Sequence, residues 1–395
     1  MIPACAAGTV ESKRAGVVRV GRQNNTRQKK TKYCDYSLLF LVIFILGFGL
    51  VMLFSVSSYN AQDDFSDALY YVKKQGFAMA LGFAAMLAVS KIDYHVWIHF
   101  GTVAYAVAIV LCVLVLFVAD EKHGSARWFQ LGPLNFQPSE LAKLATILFL
   151  SGLVSKIPKQ IGKFQNLIKV MILIAPLFVV VASTNLSTAI IIIGTAIVIV
   201  FVASPKVMQF VVMGIVGVAG GGILFIMAAS YRMDRIDAWL HPENYTDTTS
   251  FQTLQGLYAI GSGGLFGKGL GQSIQKRGFV PEAQNDMIFS IICEELGLFG
   301  AFCVILLFLL VIWRLMVIAN NAADLYGALI ASGIMAHIAI QVFLNIAVVT
   351  NTIPNTGITL PFISYGGTAT SFLLVEMGLA LSVSRGIRLE GRSHD

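Results

Sequence analysis

The chain has 395 residues, of which 56% are hydrophobic and 12% charged, with a formal net charge of +7. Soluble domains carry roughly a quarter charged residues. The composition therefore excludes a disordered chain, a disulfide scaffold and an ordinary cytosolic enzyme, and fits a protein mostly buried in lipid. The excess charge gathers near the start, where eight Lys/Arg stand between Lys13 and Lys32 against the single acid Glu11. Beside a membrane span, such a run reads as a cytoplasmic anchor rather than a nucleic-acid tail, and no nucleic-acid partner is expected. The run is too long for a signal peptide, and no small-residue cleavage pattern follows it.

Residues 1–35 form this basic tail, and ten candidate spans follow. They cover 36–58, 75–92, 98–119, 139–155, 167–183, 186–203, 207–229, 287–316, 325–350 and 368–385. A helix needs about 20 residues to cross the hydrocarbon core. The second, fourth, fifth and sixth are short and need neighbours to shield them; the eighth and ninth are long. The fold class is an all-α polytopic membrane protein, with a membrane domain over 36–385 and a cytoplasmic tail over 386–395. Lys91, Lys156, Lys159, Lys163, Lys169, Lys206, Arg314, Arg385, Arg388 and Arg392 all fall on one side, with the basic tail. By the positive-inside rule both termini are cytoplasmic and 120–138, 231–286 and 351–367 are external. The external segment between spans seven and eight has about 56 residues, too many for a structureless loop. Tyr231–Leu240 and Phe251–Ile260 suit short amphipathic helices at the interface, and the glycine run Gly261–Gly271 suits a close backbone turn.

Three blocks carry candidate chemistry. In Gly124–Lys143, Pro138 and Ser139 start a helix with Glu140 in its first turn. Glu140 and Lys143 either pair locally or, with Arg127, wall a site for an anionic headgroup, while Trp128 and Phe129 anchor the loop. In Gln275–Asp286, Asp286 stands at the mouth of span eight, as a helix cap or as a general base. Glu282 lies four residues before it and can orient a sugar or compete for the same role. Glu294 and Glu295 lie about 12–14 Å deeper and, like Glu376 in span ten, should face the bundle interior or a cavity, where they bind a cation or build a polar network. In Asn351–Thr368, five Pro and Gly residues break helix where only a cavity wall would shelter irregular backbone. Ser364 and Tyr365 can donate hydrogen bonds there. The chain has no nucleophile-elbow context, no phosphate-loop ending and no clustered histidines. Its five cysteines form no CxxC pattern.

Together these blocks resemble the shape, elongation, division and sporulation (SEDS) family of cell-wall polymerases, the FtsW/RodA type. The matching segments are Gly124–Lys143, Asn185–Thr188, Tyr231–Leu240, Gly264–Gly300 and Pro354–Gly367. Gly269–Ala283 is similar to the division and sporulation branch. Asn285-Asp286-Met287 departs from the Thr-Asp-Phe of many relatives but keeps the aspartate, and Ser187 replaces a common glycine. The resemblance implies an enzyme, a peptidoglycan glycosyltransferase polymerising lipid II by inverting transfer, with release of undecaprenyl diphosphate. It places the essential carboxylate at Asp286. Arg127, Lys143, Glu140, Glu282, Lys276 and Ser364 are the candidate substrate and diphosphate contacts. A divalent cation, Mg or Mn, is the candidate countercharge, and no organic cofactor is expected. A class B penicillin-binding protein and other division or sporulation membrane proteins are the implied partners. A lipid II flippase and a noncatalytic scaffold are the alternative functions.

Overall fold

The computed structural model describes residues 34–118, 128–131, 134–158, 160–210, 239–241 and 250–387. Its membrane-length helices are α1 (Tyr36–Phe65), α2 (Tyr70–Lys91), α3 (Trp97–Val118), α4 (Pro138–Lys156), α5 (Phe164–Thr184) and α6 (Leu186–Ala203). After the shorter α7 (Phe251–Gly263) come α8 (Ile288–Asn320), α9 (Leu325–Val349) and α10 (Gly367–Arg385). Nine helices among the described residues are long and apolar enough to cross a membrane. They correspond to nine of the ten expected spans. The seventh, 207–229, and the Tyr231–Leu240 piece lie wholly or mostly outside the described residues. A small antiparallel hairpin, β1 (Phe129–Leu131) with β2 (Leu134–Phe136), precedes α4 and is the one departure from an all-helical reading among them.

Local chemistry sets the helix starts. Asp35 accepts from Leu38 N at 3.0 Å, Asn185 from Thr188 N at 3.1 Å and Asp324 from Gly327 N at 2.8 Å, each satisfying a donor that a helix N-terminus leaves orphaned. Pro138 opens α4, where its missing N–H is not needed. Helix α4 is central: 14 of its 19 residues are buried, including Ser139, Glu140 and Lys143. By contrast, α3 and α5 bury narrow stripes and present Val103, Val107, Val110, Ile172 and Val179 outward, as lipid-facing helices do.

Before α8, the described residues 250–286 fold back against that helix. Helix α7 runs beside α8 in the same direction: Gln252 reaches Asp286, Gly256 packs on Met287 and Ser290, and Gly263 meets Cys293. The chain thus descends about 10 Å along α8 and returns through 272–286. The small residues Thr253, Gly256, Ala259 and Gly263 form the buried face that permits this close approach. The glycine run is the floor of the re-entrant turn, and its backbone is paired. Lys268 N donates to Glu294 O and Gly269 N to Glu295 O, both at 2.9 Å; Leu298 N donates to Gly264 O at 2.9 Å and Phe299 N to Leu265 O at 3.1 Å. Helix α8 opens to make this possible, with Gly297 at φ 70° and ψ −169°. A Cβ on Gly297 or on Gly267 (φ 77°) would overlap the opposing backbone, so both positions need glycine. Irregular backbone at this depth is sheltered by protein on its polar side.

The two buried acids beside the break have partners from the same turn. Lys268 Nζ lies 2.7 Å from Glu294 Oε1, and Lys276 Nζ 2.7 Å from Glu295 Oε1. Ser273 also donates to Glu294, while Ser55 of α1 donates to Glu295 at 2.6 Å. Two charges, one from the floor of the turn and one from the returning segment, therefore neutralise two charges in α8, which fixes the register of the turn.

Candidate active site

Asp286 sits where α7, α8 and the 351–367 segment meet. Its Oδ1 accepts from Gln252 Nε2 at 3.1 Å, and Asn355 Nδ2 donates to the Gln252 carbonyl at 3.1 Å, which orients that amide. Asn345 of α9 donates to the Asp286 backbone carbonyl at 2.8 Å and to Ile358 O at 2.7 Å. Gly357 lies beside Asp286 at φ 67°, a left-handed backbone position that favours glycine. Helix α8 begins without a side-chain cap, so the capping role considered for Asp286 is not what the structure shows.

The carboxyl is basic for an aspartate. Burial, with the nearby Glu282 charge adding to it, pushes its pKa up to about 6, while the Gln252 hydrogen bond and nearby amides pull the other way. Its ion-pair partners among the described residues are none. A half-buried carboxylate of this basicity is ionised at neutral pH and able to take a proton.

The other candidates fall into separate places. Lys143 is 4% exposed and lies 2.9 Å from Glu140 Oε2 and 3.1 Å from Gln341 Oε1. Gln341 also donates to Thr359 O at 3.0 Å. Gln341 and Asn345 are one turn apart on α9, so Lys143 and Asp286 hang from one helix face about 6 Å apart along its axis. Glu282 is exposed, at φ 54°, and accepts from Asn285. Lys276 faces inward to Glu295 and Ser55, away from this mouth. Ser364 is buried and accepts from Leu360 N at 2.8 Å, closing its own turn. Arg127 lies outside the described residues.

Sequence reasoning did not single out Gln252, Asn345, Gln341 or His337. The signal was available for three of them: His337, Gln341 and Asn345 recur every fourth residue in an otherwise apolar helix, which aligns them on one face.

Residues 36–388 match the family model described as cell cycle protein, of FtsW, RodA and SpoVE. Stage V sporulation protein E of Bacillus subtilis is 39% identical, over 89% of this chain and 97% of its own length. The probable peptidoglycan glycosyltransferase FtsW of a Geobacter species is 35% identical, over 90% and 97% respectively. Among solved structures, a peptidoglycan synthase complex that coordinates polymerization and crosslinking aligns with a TM-score of 0.75 at 27% identity, covering 90% of this chain and 99% of that one. The rod shape determining protein RodA of Thermus thermophilus aligns with a TM-score of 0.66 at 27% identity, covering 90% and 98%.

Proposed function

The chain belongs to the FtsW, RodA and SpoVE cell cycle protein family, and from that premise we propose how this membrane protein works as a peptidoglycan glycosyltransferase. Its substrate is lipid II, and its Asp286 face is external, as the Lys/Arg distribution supports. The observation that carries the reading is the Asp286 carboxylate: basic, half-buried, without a cation partner among the described residues and held from two elements at a protein mouth. It takes the proton of the acceptor hydroxyl as that oxygen attacks the donor's anomeric carbon. The bond to the diphosphate breaks in the same displacement, so an α-linked donor gives a β-1,4 product with inversion and no covalent enzyme intermediate.

The leaving diphosphate needs positive charge. Lys143, with Arg127 from the preceding segment, supplies it; Glu140 holds Lys143 in place. Glu282 accompanies Asp286 at the mouth and raises its basicity. Lys276 and Ser364 serve by holding backbone, Lys276 at the re-entrant turn and Ser364 in the 360–364 turn. Mg or Mn, where used, would be held by the substrate's phosphates with Glu282 as a protein carboxylate, supplying further countercharge.

A class B penicillin-binding protein is the proposed partner in crosslinking, with other division or sporulation membrane proteins around it. Purified protein given lipid II tests the reading. The expected result is a ladder of β-1,4-linked glycan, longer or more abundant with the cognate transpeptidase. Lipid II translocated across vesicles without glycan would indicate a flippase. Neither activity, alongside binding of division proteins, would indicate a scaffold.

A further inference from the structure

Beneath the Asp286 mouth, four buried polar side chains form one line across three helices. His337 and Gln341 of α9 are 1% and 2% exposed, Lys143 of α4 is 4% exposed and Glu376 of α10 is fully buried. Lys143 Nζ lies 3.1 Å from Gln341 Oε1; His337 Nε2 lies 2.9 Å from the same oxygen; His337 Nδ1 lies 2.8 Å from Glu376 Oε2.

The donor inventory fixes the hydrogens. An ammonium only donates, so Gln341 must present its oxygen to Lys143. Thr359 O only accepts, so the Gln341 amide nitrogen must face it, as it does at 3.0 Å. An oxygen already facing Lys143 requires a donor from His337 as well, so Nε2 carries a hydrogen. The contact between Nδ1 and Glu376 then needs one proton more, carried either by the carboxyl or by the ring. Without it, two lone pairs would oppose each other in a water-poor bundle. Glu376 Oε1 has no hydrogen-bond partner among the described residues. A neutral acid tolerates that, because this oxygen is then an uncharged carbonyl.

We propose that His337 and Glu376 are positioning residues for Lys143: their single shared proton fixes the His337 tautomer, the tautomer fixes the Gln341 amide, and the amide aims the ammonium. This rests on the reading of Lys143 as a diphosphate contact. Loss of the shared proton moves the remaining ring hydrogen to Nδ1, turns Gln341 and sets its NH₂ against Lys143. The ionisable groups around this line are few. Lys143 and Glu140 come from α4 and Glu376 from α10; α6 carries none. The α8 acids are paired with Lys268 and Lys276, Tyr258 of α7 is exposed, and His95 is held by Asp93 and Asp324 at the opposite end of α9.

The test uses the full chain in nanodiscs with lipid II. Glu376→Gln keeps a donor toward Nδ1 and should hold kcat within about threefold, while Glu376→Leu should lose tenfold or more with little change in KM. Nitrogen-15 spectra of labelled histidine, with His337→Gln for assignment, should show hydrogen on Nε2 at neutral pH. A hydrogen on Nδ1 alone, or a fully active Glu376→Leu, would overturn the proposal. Lys143→Ala is run alongside. If it turns over at the wild-type rate, the reading of Lys143 fails and this inference with it; if it is inactive while the Glu376 variants behave alike, the positioning role alone fails.

Discussion

In an Asp286→Asn variant, stability and turnover should move in opposite directions. An unfolded aspartate ionises near 3.8, and burial lifts the folded Asp286 to about 6. Below pH 3.8 both states hold the proton, and the substitution changes little. As pH rises between the two values, the unfolded chain releases its proton first, so the wild type loses stability relative to the variant. The full penalty stands above pH 6. A gap of ~2 pH units at ~1.4 kcal/mol each is about 3 kcal/mol; the partial exposure of Asp286 makes this an upper bound. Asparagine has the same size, carries no charge and still accepts from Gln252. Chemical unfolding of the detergent-solubilised protein at pH 4 and pH 7.5 checks this. The expected outcome is near-equal stability at the lower pH and a more stable variant at the higher. An Asn variant less stable at pH 7.5 would refute the picture of a carboxylate held against its own preference, and would recast Asp286 as a structural anchor.

The remaining expectations touch other parts of the same architecture. Gln252→Leu removes a hydrogen bond that favours the ionised carboxylate, so the acid limb of kcat/KM should shift upward from about 6; an unmoved limb would detach Gln252 from the base. Lys276→Met leaves Glu295 buried without its cation, which should cost about 3–5 kcal/mol; a stability change below ~1 kcal/mol would show that the re-entrant turn does not depend on the pair. In intact cells, an impermeant thiol reagent should reach a cysteine placed at residue 250 and miss one at residue 160, the reverse pattern contradicting the external placement of Asp286.

Much of this fold was legible because lipid imposes long apolar runs, and α1 through α6 and α8 through α10 start close to where their caps and hydropathy change place them. The re-entrant segment was not. Phe251–Ile260 is apolar enough for an interface and too short for a span, and its descent depends on small residues meeting α8 from a distant part of the chain. The acids pointed to it in hindsight: Glu294 and Glu295 needed cations, and Lys268 and Lys276 stood in a segment read as surface. Lys276, a candidate diphosphate contact in the sequence, is turned inward to Glu295 in the structure. For the candidate site, the place of Asp286 before an apolar run marks it as a cap or a base, and the family resemblance points to the base. Gln252 and Asn345 were not legible, because amides gain a role only from what they are brought to touch.

The most direct test of the central claim is the rate of glycan formation from purified lipid II by wild type and Asp286→Asn at matched amounts of folded, membrane-inserted protein. If Asp286 is the general base, the variant should be about 10²–10⁴-fold slower while remaining folded. Glycan synthesis by the Asn variant at a near wild-type rate would contradict the account.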